Sequence, residues 1–335
     1  MGKSDELYSR LKDVNSVAIV CHHQPDPDCL ASAFAFQWIA EQAKVDQATI
    51  FYQGEITHQE IRSFINIFEV SLERIQEENL RAYDCIALID HAVSGKQVEL
   101  PDDIQISFII DTQDIEDSSE ATFVDSRAEY GTTSTILTEY INEQEWSPST
   151  LIMSALLFAI HHERLDYVRY PTLAEYEAAT VLYPAADIDL IEEVYGSSLT
   201  PSTLNAIGQA IGHREKHGST LVSSIGRTTE SGALPQAADY LLRLEGVRTV
   251  LVMGIVDGHL RLSAQSFDPG IDIGDVVERA FGSYGSAGGH PDRAGGRLPL
   301  GIFAESSKEN VEIEEQLFKV VASRFFRTLN LNGNQ

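Results

Sequence analysis

The strongest constraint on the fold is a set of short apolar runs that each deliver a potential metal ligand at their carboxyl end. Residues 17–21 (VAIVC) lead into His22, 85–90 (CIALID) end at Asp90, and 106–111 (ISFIID) end at Asp111. Each run has the length of a buried strand, and 48–52 adds another. Between the first two lies 29–44 (CLASAFAFQWIAEQAK), with the apolar spacing of a helix. Strands alternating with helices specify an α/β fold, with a mostly parallel sheet and flanking helices on both faces. Ligands of such a sheet bind outside the carboxyl ends of its strands, where these side chains fall.

The remaining pattern divides the chain into two domains. Helical spacing over 132–144, 149–163, 172–185 and 188–195 completes an N-terminal domain of residues 1–196. A stretch punctuated by Gly, Ser and Thr, 197–218, reads as a helical linker. A smaller α/β domain follows over 219–335, with a strand at 220–225 and a helix at 236–244. Its strands 249–256 and 259–266 are joined by Asp257-Gly258, a pair that favours a hairpin turn. A glycine-rich loop, 282–296, and a helix over 312–329 close it.

Composition narrows the setting. The 335 residues are 43% hydrophobic and 22% charged, as in ordinary globular proteins, and suffice for two cores. No apolar run reaches the length of a membrane span, and MGKSDELYSRLKDV lacks the apolar core of a signal peptide. A cytoplasmic protein with no membrane partner is therefore expected. Cys21, Cys29 and Cys85 are odd in number and read as packing residues rather than a disulfide framework. The formal net charge of −27 argues against non-specific DNA binding through a basic face. Only seven of the 24 basic residues are lysine, and the acids are spread along the whole chain. That pattern fits a protein solvated in high salt, from a halophilic archaeon; a merely acidic protein is the plainer alternative.

Chemistry concentrates in His22-His23-Gln24-Pro25-Asp26-Pro27-Asp28. Two aspartates two residues apart, with a histidine four before the first, can converge on adjacent cations. Oxygen ligands with an imidazole suit manganese or magnesium better than a thiolate zinc site. A single strand-end aspartate would read as a turn former or helix cap. Several on one sheet edge read as a site. With Asp90, these residues resemble the first two motifs of the DHH phosphoesterase family. Gly288-Gly289-His290-Pro291-Asp292-Arg293-Ala294-Gly295-Gly296 is similar to the glycine-rich signature of the DHH-associated C-terminal domain.

The resemblance spans nearly the whole chain and implies two lobes with a cleft between them. It implies two divalent cations, usually manganese, in the first lobe, with Asp90 bridging them. The implied ligands are His22, Asp26, Asp28, Asp90 and Glu163, with Asp111 as a catalytic carboxylate. In the second lobe, Ser263, Gly288, Gly289, His290 and Arg293 would contact substrate. Three departures bear on activity. The family's Asp-His-His triplet corresponds here to Asp111-Thr112-Gln113, so an imidazole ligand of the second metal is missing. The fourth motif, usually Asp-Thr, corresponds to Glu163-Arg164. The serine–x–arginine–serine run of the second lobe reads Ser263-Ala264-Gln265-Ser266.

One metal position is therefore expected to be complete and the other weakened. His91 is expected to point away from Asp90 by strand alternation, and His161 and His162 to sit on a partly exposed helix face. The resemblance implies a manganese-dependent phosphoesterase, oligoribonuclease-like or RecJ-like, acting on short oligonucleotides or nucleotides. A degenerate relative that binds nucleotide or nucleic acid without hydrolysis is the alternative. A pyrophosphatase or exopolyphosphatase ranks below both. A homodimer is compatible with the sequence.

Overall fold

The computed structural model describes residues 2–23, 25–54, 56, 58–91, 100, 106–113, 115, 121–165, 171–196, 199–301 and 311–332. They form two compact units, Met1–Ile56 with Glu60–Ser197, and Thr57–Gln59 with Ser198–Gln335.

In the first unit six strands make one sheet. They are β1 (Ser16–His23), β2 (Gln47–Gln53), β3 (Leu72–Arg74), β4 (Cys85–Ile89), β5 (Ile106–Asp111) and β6 (Phe123–Ser126). Their order is β3-β2-β1-β4-β5-β6 and every pair is parallel. All five residues of β4 are buried, as are Val17 to Val20 of β1. This explains why the strands read as unbroken apolar runs: both faces of the sheet are covered, one by most of the helices and the other by the helix Glu77–Leu80 with Ile75 and Tyr83. The helices are α1 (Lys3–Leu11), α2 (Pro27–Gln42), α3 (Gln59–Ile67), α4 (Glu77–Leu80), α5 (Thr133–Glu143), α6 (Thr150–Ile160), α7 (Leu173–Leu182) and α8 (Ile188–Tyr195). A π-helical turn, His161–Leu165, continues α6. Strand order reverses between β1 and β4, which opens a crevice at their carboxyl ends. His22 and Asp90 stand there.

The second unit holds α9 (Pro201–Gly212), β7 (Arg214–His217), β8 (Thr220–Arg227), α10 (Ala233–Leu242), β9 (Thr249–Val256), β10 (His259–Ser266) and α11 (Ile273–Phe281). It continues with β11 (Ser286–Gly289), β12 (Arg293–Pro299) and a helix, Val311–Asn332. The sheet order is β11-β12-β10-β9-β8-β7, with β8 and β9 parallel and the other pairs antiparallel. Within 197–218, read from sequence as a linker, α9 and β7 belong to this unit. Ala206, Ile207 and Ala210 of α9 share a core with Leu221, Ile225 and the buried face of α10.

The glycine-rich segment 282–296 differs from the expected loop. It forms a 3-10 turn, Gly282–Tyr284, and the hairpin β11–β12. The physical reason is close backbone packing. A Cβ on Gly289 would lie 2.4 Å from the Arg293 carbonyl oxygen, and one on Gly274 would lie 2.5 Å from that of Gly289. Gly289 thus lets the two strands of the hairpin close on each other, and Gly274, within α11, lets that helix touch the hairpin backbone.

Candidate metal centre

The loop after β1 turns into α2 through Asp26, whose carboxylate caps the helix by accepting from the Cys29 amide at 3.0 Å. Pro27 takes the first helical position, where its missing N–H costs nothing. This cap brings Asp26 back over the end of β1. The His22 Nε2 atom lies 3.8 Å from Asp26 Oδ1 and 3.7 Å from Asp90 Oδ2. Asp90 follows β4 with φ 63°, a left-handed conformation that aspartate tolerates better than most residues. Its amide still donates to the Ile110 carbonyl at 2.9 Å, so the turn is anchored to β5.

Asp28 sits in the first turn of α2 and is only 5% exposed. Both of its oxygens are held by the start of α5. The Thr133 amide donates to Oδ2 and the Ser134 amide to Oδ1, each at 2.8 Å. The Thr133 hydroxyl donates to Asp90 Oδ1 at 2.7 Å. Asp111, 1% exposed at the end of β5, accepts the Gln113 amide at 3.1 Å.

The electrostatics match this crowding. Burial, then the charges of Asp28, Asp26 and Asp111, push the Asp90 carboxyl well above its usual range. Burial and the neighbouring Asp26 raise Asp28 to about 7, although the Ser134 and Thr133 donors oppose the shift. Burial also pushes Asp26 upward, but His22 beside it wins and holds it below its ordinary value. Carboxylates packed this closely in a poorly solvated pocket call for a cation. The donors, one imidazole with several carboxylates, fit a divalent metal.

Two residues that the sequence set aside lie close to the site. Cys29, read as packing, has a thiol that with His22 and Asp90 forms a group of potential ligand atoms all within 4.8 Å of one another. It is fully buried and donates to the Ile89 carbonyl at 3.4 Å, and burial raises its pKa well above the usual thiol value. His91 follows the left-handed Asp90 into the interior. It is 2% exposed, packs edge-on to His22 with ring centroids 6.4 Å apart, and donates from Nδ1 to the Ile89 carbonyl at 3.1 Å.

At the fourth motif, Glu163 is engaged by its neighbour. His162 lies between Glu163 Oε1 at 2.9 Å and Glu60 Oε1 at 2.8 Å. Burial disfavours its charge, yet these carboxylates raise His162 to about 10, so an imidazolium serves both. His162 is therefore no idle surface residue; His161 is, by contrast, bonded to the Tyr183 hydroxyl at 2.6 Å. Glu163 is near enough for its charge to raise Asp26.

The remaining predicted residues lie in the second unit. Ser263 on β10 faces Gly295 on β12, and Gln265 faces Arg293 directly across the same antiparallel pair. Gly288 and Gly289 form the end of β11, and the His290 amide donates to the Arg293 carbonyl at 2.7 Å. Gln265 is 4% exposed, and among the described residues its Oε1 has no hydrogen-bond partner. The functional interest of Thr133, Cys29 and His91 was not visible in sequence. Thr132-Thr133-Ser134 shows there only as the start of the helical spacing over 132–144.

The chain is similar to several known proteins. Residues 217–320 match the DHHA1 domain. An uncharacterized protein of Methanocaldococcus jannaschii is 33% identical over 294 residues, covering 87% of this chain. The chain spans 60% of that relative's length. A protein of Staphylococcus epidermidis named probable manganese-dependent inorganic pyrophosphatase is 26% identical over 239 residues, 70% of this chain and 72% of its own. The crystal structure of an exopolyphosphatase-related protein from Bacteroides fragilis shares the fold, with a TM-score of 0.75 over 99% of this chain and 98% of that one, at 14% identity. Residues 217–320 thus carry a DHHA1 domain, and the shared fold together with the sequence matches supports grouping the chain with the DHH proteins.

Proposed function

We propose that the first unit binds divalent metal, manganese by preference, and hydrolyses phosphoesters of short oligonucleotides or nucleotides. One observation carries the reading: the buried Asp28 and Asp111 lie close to Asp90, whose side chain is 14% exposed and faces His22 at the strand-order reversal, a concentration of carboxylates suited to cations. His22, Asp26 and Asp90 would hold one cation, and Asp28, Asp90 and Glu163 a second, weaker one. A bound cation supplies an activated water and offsets charge on the phosphoryl oxygens. The chain's own groups orient and hold charge. Asp111, beside Asp90, is the group assigned to proton handling. In the second unit, Gln265 stands where the family resemblance leads one to expect an arginine, and Arg293 is its direct cross-strand neighbour on the same face. Arg293 would grip a substrate phosphate there with charge-assisted hydrogen bonds, beside Ser263, His290 and the backbone of Gly288 and Gly289.

The test is hydrolysis of short oligoribonucleotides, cyclic dinucleotides and pyrophosphate by metal-stripped protein resupplied with manganese. Turnover that depends on manganese and disappears in Asp90→Asn is the expected result. Turnover unchanged by that substitution refutes the assignment, and the preferred substrate separates a nucleotide enzyme from a pyrophosphatase. A second reading, a binder that does not cleave, is favoured by Thr112 and Gln113 in the third motif. It is the one to adopt if at most one manganese binds and no substrate turns over. A cytoplasmic setting accords with both readings, and among the described residues no helix is long and apolar enough to cross a membrane.

A further inference from the structure

We infer that Thr133 is the positioning residue that sets the two metal-binding carboxylates against each other. This inference rests on the metal site proposed above. Thr133 is fully buried at the first position of α5, which the Thr132 side chain caps by accepting from the Thr135 amide at 3.1 Å. Its two donors go to two different elements. The amide reaches Asp28 on α2 at 2.8 Å, and the hydroxyl reaches Asp90 after β4 at 2.7 Å.

The consequence for Asp90 is an assignment of its oxygens. Oδ1 is occupied by Thr133, and Oδ2 is the atom facing His22 at 3.7 Å. A carboxylate after a left-handed turn has rotational freedom that this bond removes. Asp28 is fixed with it, because consecutive amides of α5 hold both of its oxygens and the positive end of the helix dipole favours its charge. A further contact, Ser32 Oγ to Ser134 Oγ at 3.2 Å, ties α2 to α5 at the same place. Thr133 is β-branched, so few side-chain rotamers are open to it within a helix. Partners behind a metal ligand typically change metal affinity about 10- to 100-fold when removed.

The experiment measures manganese affinity by calorimetry on the full metal-stripped chain, with the melting temperature of each metal-free variant as a control. Thr133→Val keeps the shape and the amide but loses the hydroxyl donor. Its manganese affinity is expected to fall about 10- to 100-fold at a nearly unchanged metal-free melting temperature, with Thr133→Ser restoring most of the loss. If the valine variant does not fold, Thr133→Ala is measured against Thr133→Ser in the same way. Wild-type affinity in the hydroxyl-less variant, with Asp90→Asn still unable to bind, overturns the role of Thr133 and leaves the metal site standing. An affinity loss that serine does not restore also overturns it. Wild-type protein that takes up no manganese overturns both.

Discussion

Arg127 follows β6, and its amide donates to the Asp111 carbonyl at 3.0 Å. Its guanidinium meets Asp125 Oδ2 at 2.8 Å and Glu139 Oε1 at 2.7 Å, and the Tyr140 hydroxyl also donates to Asp125. Asp125 is 5% exposed at the end of β6, so this charge is held by its partners rather than by water. Removing one partner of such a buried pair leaves the other stranded. Arg127→Met is therefore expected to lower stability by about 3–5 kcal/mol, read as a fall in the urea midpoint. At this scale the sequence was uneven. His22, Asp26, Asp28 and Asp90 were legible because each stands at a strand end or in the loop after one. Thr133 and His91 were not. The first acts through contacts more than forty residues away in the chain, and the second depends on a backbone turn at Asp90 that no side-chain pattern encodes.

Among elements, the parallel strands were the clearest, since burial on both faces leaves continuous apolar runs such as CIALI. Helix α8, Ile188–Tyr195, and the strands Thr249–Val256 and His259–Ser266 fall where their periodicity and Asp257-Gly258 suggest. Short elements were harder to see. The strand β6 has four residues, and α1 buries only Ser4, Leu7 and Leu11. The hairpin β11–β12 was hidden by its composition, because glycine signals loops in general yet here serves close packing. Gly274 tests that account. Its α-carbon faces the Gly289 and His290 carbonyls, with backbone rather than a flexible side chain in the way. Gly274→Ala should destabilise the second unit by about 1–3 kcal/mol of overpacking, visible as an earlier loss of its structure in a denaturant series monitored by NMR.

Over the whole molecule, charge is the dominant fact. A net charge of −27 repels itself most at low ionic strength, where the screening length is about 10 Å at 0.1 M salt against about 3 Å at 1 M. The melting temperature should therefore rise as potassium chloride is raised from low to molar concentration, and calorimetric scans across that series check it. A flat series would mean that local pairing already balances the acids. A change of pattern near residue 197 marks where the units part, whereas the core that α9 shares was not legible, because its buried face is made of Thr203, Ala206, Ile207 and Ala210, with one large apolar side chain among them. One buried ring gives the intact protein a voice of its own. His91 spends its Nδ1 proton on the Ile89 carbonyl, and burial and His22 lower its pKa to about 4, so the ring is neutral near pH 7. Among the described residues its Nε2 has no partner. That bare nitrogen, beside His22, is a native isotope-label probe, able to register by its resonance frequency what arrives at the site without any dye or tag.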